Sequence, residues 1–156
     1  MLTVLAIMAF IIGLSISAFK DFGGGAGLRG STLQVKSGFN LARQYAITHR
    51  VKASLHMGNE MNDLSGYYYI TIPTNQLVGN TNYLSKGVIF SSGADPDTGK
   101  KFYTNAVIFN LDGSSTADGT TQKLIGLEEW GLGTNGLRAK FNFYPLTGRL
   151  RTELMK

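Results

Sequence analysis

No cysteine occurs in the 156 residues, so disulfides, thiolate nucleophiles, zinc ribbons and iron–sulfur ligation are excluded. Histidine is nearly absent too. His49 and His56 fall in neither an H-x-x-x-H nor an H-E-x-x-H pattern, and no nucleophile with a base, carboxylate pair or ligand set stands at a diagnostic spacing. An enzyme is therefore not expected, and no cofactor or metal is called for. Only three prolines punctuate the chain, against twenty glycines, and runs such as Gly23-Gly24-Gly25 point to a loop-rich β-module. The sharpest lack is local: residues 1–19 (MLTVLAIMAFIIGLSISAF) carry no charged side chain. As a helix this run is about 28 Å long, close to the hydrocarbon thickness of a bilayer. It is read as a transmembrane helix over 1–22. A secretory signal would need a basic n-region and an A-x-A site, and a domain this small rarely hides a helix apolar all round.

Fifteen Lys and Arg against ten Asp and Glu give a net charge of +5, which tilts the expected partners toward polyanions or anionic head groups. Lys20, Arg29, Lys36 and Arg43 all follow the apolar run, where the positive-inside rule would hold them in the cytoplasm.

Gly23, Gly24, Gly25, Gly27 and Gly30 each cost a helix about 1 kcal/mol relative to Ala, so a break is expected there. Helical periodicity resumes in Leu28, Thr32, Val35, Phe39, Ala42 and Ala46; Val35, Phe39, Ala42 and Ala46 are the predicted helix packing face. The helix should end near His49-Arg50. Residues 51–57 alternate apolar and polar as a half-buried strand does, and further strands are predicted at 67–72, 88–90, 106–111, 123–127 and 137–144. Turns are expected at Gly58-Asn59, at 95–99, at Asp112-Gly113 and at Asp118-Gly119. One helix followed by strands argues for an α+β fold, a long helix laid across a small antiparallel sheet. The expected organisation is a transmembrane helix 1–22, a Gly-rich break and amphipathic helix 23–50, and a β-domain 51–156.

The opening MLTVLAIMAFII resembles the type IV pilin signature just after its Phe-Thr-Leu-Ile-Glu start. Leu41-Ala42-Arg43-Gln44-Tyr45-Ala46-Ile47 through Leu55 is similar to the helix end and first strand of the H-type (GspH) minor pseudopilins of type II secretion and of FimT/FimU-like minor pilins. Residues 106–113 and 143–151 are similar to that group's later strands. The resemblance implies a pilin-like structural subunit of a secretion pseudopilus or type IV pilus-like filament. It further implies a single pass through the bacterial inner membrane, a periplasmic or filament-borne C-terminal domain, and other pilins or pseudopilins as partners. The family's leader, cleavage site, methylated Phe and Glu are not in the sequence. Met1 is therefore expected to lie inside a longer precursor that a prepilin peptidase would process and whose basic leader would set the orientation.

Three local features remain. Asp95 and Asp97 are two apart, as in calcium loops, but Gly99 is fifth where a sixth-position Gly is needed, so a plain turn is expected. Tyr67-Tyr68-Tyr69 and Trp130 could stack bases, yet alternate tyrosines of a strand face opposite sides, which favours packing. Gly148-Arg149-Leu150-Arg151 places Arg149 and Arg151 on one strand face about 7 Å apart, a spacing able to grip successive phosphates. It also matches the C-terminal GRxR motif of DNA-capturing FimT-like pilins, so nucleic-acid binding by Arg149 and Arg151 in DNA uptake is the alternative function. A single-pass membrane-anchored binding module unrelated to pili is the third reading.

Overall fold

The computed structural model describes residues 2–95, 98–102, 105–116, 123–131 and 136–155, with side chains in the helix from Gly25 onward. One helix, α1 (Leu2–His49), leads into β1 (Ala53–Glu60), β2 (Ser65–Thr71), β3 (Asn82–Tyr83), β4 (Val88–Phe90), β5 (Val107–Phe109), β6 (Ser115–Thr116), β7 (Lys123–Glu129), β8 (Arg138–Tyr144) and β9 (Arg149–Met155). The strands form two antiparallel sheets, ordered β3-β2-β1-β5-β6 and β4-β7-β8-β9.

This corrects the expected α+β architecture of a long helix on a small sheet. The domain is mostly β, and the described packing of the helix, from Gly25 to His49, is the minor part of it. Helix-then-strand order is compatible with one sheet or two. The chain crosses from one sheet to the other between β3 and β4, back before β5, and across again before β7, pairings that no local pattern specifies.

The helix backbone is also continuous through the glycines where a break was expected. Gly38 explains why a glycine can help here. A Cβ at that position would run into the ring of Tyr68, whose hydroxyl donates to Gln34 O at 3.1 Å. The helix thus approaches β2 backbone-close. It stops at Arg50, whose φ of 52° is the left-handed conformation that ends helices.

The buried face of α1 comprises Leu28, Ser31, Thr32, Val35, Gly38, Phe39, Ala42 and Ala46. Phe39 meets Phe109 of β5 at 6.2 Å and Phe143 of β8 at 5.7 Å, and those two rings lie 5.9 Å apart edge to face. One aromatic triad therefore joins helix and both sheets. Gly58-Asn59, expected as a turn, lies inside β1, and the turn follows at 61–64. A Cβ on Gly58 would sit 2.6 Å from Tyr67, so this glycine makes room for an aromatic ring on the neighbouring strand.

Candidate functional site

The β8–β9 turn presents the arginine pair. Gly148, at φ 61°, donates its N–H to Tyr144 O at 2.9 Å, and Arg149 N reaches Thr147 Oγ1 at 3.4 Å. A Cβ on Gly148 would strike Gly113 O, so the β5–β6 and β8–β9 turns touch here. Arg43 closes the junction by donating from Nε to Gly113 O at 3.2 Å.

Beyond that turn, β9 exposes Arg149 and Arg151 on one face and turns Leu150 toward the core. Arg151 Nε lies 3.3 Å from Glu153 Oε1, both side chains well exposed, so the pairing is weak and screened.

Along the helix, Arg29, Lys36 and Arg43 recur every seven residues. Seven residues make two turns less about 20°, so the three form one row on a flank of α1. That flank meets β9. Arg43 touches the turn at the strand's start, while Arg29, with Gly25, Leu28, Leu137, Leu154 and Met155, lines a half-open groove of about 160 Å³ at its end. With Arg43 at the start of β9 and Arg29 at its end, β9 runs antiparallel to the helix. From residue 29 to 43 the helix rises about 21 Å. Seven strand residues span about 20 Å. The two elements therefore lie side by side over the same length. The seven-residue spacing of the helix cations was readable in the sequence, whereas the strand laid along them was not.

The remaining candidates are otherwise engaged. Asp95 is fully buried and accepts hydrogen bonds from Lys140 Nζ at 2.6 Å and from Thr98 Oγ1, so it pins its loop to β8; Asp97 lies outside the described residues. Tyr68 is in the core, while Tyr67 and Tyr69 stand on the outer face of the five-stranded sheet. There the Tyr69 ring stacks on His56 at 4.8 Å and lies nearly parallel to Tyr67 at 6.3 Å, an aromatic row along the strand pair. His56 Nε2 also meets Thr71 Oγ1 at 2.9 Å, and burial lowers its pKa from the ordinary 6.5. His49 is exposed and stacks on Tyr45 at 4.0 Å. Trp130 is half exposed beside Glu128, Glu129 and Arg138. Among the described residues no three acidic or histidine side chains converge as metal ligands.

No helix among the described residues is long and apolar enough to cross a membrane. The side chains of the proposed span, 1–22, lie outside those described.

The class these observations define is a helix-led, two-sheet β domain with a cationic margin where the helix runs beside an edge strand. No family model, curated protein or solved structure matches the chain.

Proposed function

We propose that this chain is a non-catalytic structural subunit of a bacterial filament, similar to the minor pilins and H-type pseudopilins. Its apolar N-terminal run is stored in the inner membrane and then packs with its neighbours' helices. The observation that supports this reading is the outward face of α1. At about 100° per residue, the surface opposite the buried stripe carries Ala26, Gly30, Leu33, Ser37, Asn40, Leu41, Gln44 and Thr48, all exposed and none charged. Leu33 is 68% and Leu41 51% exposed. A helix face that met only water would be expected to carry its charges there, but Arg29 and Lys36 stand to one side. An uncharged face of small and apolar residues fits close helix-to-helix contact.

Cysteine cross-linking tests this directly, because the chain has no cysteine of its own. Leu33→Cys or Leu41→Cys, expressed with candidate filament partners, should give oxidation-dependent dimers, while Lys52→Cys on an exposed loop should not. Absence of cross-links at both helix positions rejects the filament reading.

DNA capture by Arg149 and Arg151 has less support. Glu153 shares their face and would repel successive phosphates, and the Tyr69 ring that could stack a base already stacks on His56 at 4.8 Å.

A further inference from the structure

We propose that β9 and the basic flank of α1 form a docking channel for an acidic, extended segment of a partner protein, which adds as a further strand to the four-stranded sheet. This goes beyond the filament reading and does not depend on it.

Two independent features converge. The first is an open edge: β9 is the last strand of its sheet, and no strand among the described residues pairs with its other side. An unpaired edge presents a row of backbone donors and acceptors that only another peptide backbone can match. Edges left free are usually short, whereas β9 has seven residues.

The second is charge on both sides of that edge. A strand added beside β9 would project side chains alternately to the two faces of the sheet. On one face it would meet Arg149 and Arg151, with Glu153 as the carboxylate of that face. On the other it would meet Arg29 and Arg43, which touch the two ends of β9, with Lys36 exposed between them in the same helix row. Carboxylates on the incoming segment thus find cations whichever way they point. The groove at the Leu154–Met155 end, walled by Leu28 and Leu137, has room for one apolar side chain of the segment. A nucleic acid could use the cations but neither the backbone edge nor this groove. The combination favours an acidic peptide.

The test uses the full chain in neutral detergent and three labelled octapeptides, followed by fluorescence anisotropy at low and raised salt. One alternates glutamate and valine, the second alternates lysine and valine, and the third is the glutamate peptide with every second backbone nitrogen methylated. The glutamate–valine peptide should bind, more weakly as salt rises, and the other two should not. Lys36→Glu with Arg151→Glu, both exposed positions, should weaken binding at least about tenfold without lowering the melting temperature. Should that variant fail to fold, the methylated peptide on the unaltered chain still decides. Equal binding of the methylated peptide, or equal binding by the charge-reversed variant, overturns strand addition. So does duplex DNA that displaces the glutamate peptide, no peptide binding at all, or self-association of the chain in its place. None of these results bears on the helix cross-links, so the two readings fail separately.

Discussion

Asp95 and Lys140 are the charged side chains most removed from water among the described residues, at 0% and 6% exposure. An ion pair so placed gains little over an apolar pair, but breaking it strands a charge in low dielectric. Asp95→Ala or Lys140→Met alone should therefore cost about 3 to 5 kcal/mol in urea unfolding, and replacing both together should cost clearly less. A double-variant loss equal to the sum of the two single losses would show that the pair is not coupled. His56 is the second residue with a measurable signature. Its pKa is lowered in the folded chain by burial, so the unfolded chain binds its proton first on acidification. Stability is then complete above about pH 6.5 and declines as pH falls from there through the folded value. His56→Gln should flatten that decline, which thermal melts between neutral and mildly acidic pH can read. At the opposite extreme of exposure, Ser114 donates to Asp112 from Oγ at 2.6 Å and from N at 2.9 Å, which holds this surface carboxylate below its ordinary range. That pairing shapes the β5–β6 turn on which Arg43 closes.

At the scale of elements, the contact between α1 and β2 depends on a side chain that is missing. The Tyr68 ring lies over Gly38 with its hydroxyl tied to Gln34 O, so it cannot swing away without losing that bond. Gly38→Ala raises helix propensity by about 1 kcal/mol yet should destabilise the domain by about 1 to 3 kcal/mol net, because the methyl group overpacks a fixed ring. Gly30, exposed and with nothing near its Cβ position, supplies the control: Gly30→Ala should stabilise by up to about 1 kcal/mol. Matching effects at the two positions would mean that the helix does not approach β2 as described.

The whole molecule is held together where Phe39, Phe109 and Phe143 meet, since each ring comes from a different layer. Phe39→Ala should cost about 3 to 5 kcal/mol. Because the triad ties helix and both sheets, unfolding should also stay concerted. Trp130 fluorescence, which reports on the end of the four-stranded sheet, and circular dichroism of the whole backbone should give one midpoint. Separate midpoints would mean that the sheets unfold independently.

Periodicity alone determined a good deal: a helix stripe through Val35, Phe39, Ala42 and Ala46, and alternation at 51–57 where β1 forms, because burial of one face imposes a repeat on nearby residues. Arg149 and Arg151 on one strand face were likewise legible, since side-chain direction along a strand is a local property. Tertiary structure alone decided the split into two sheets, the strand β3 held by two register pairs, and the conversion of Gly58 from turn to aromatic seat. It also decided that β9 runs beside Arg29, Lys36 and Arg43. The contacts of Arg29 with Leu154 and of Arg43 with Gly148 join positions more than a hundred residues apart in sequence, and their energy comes from long-range burial and register, which leave no periodic trace in either segment.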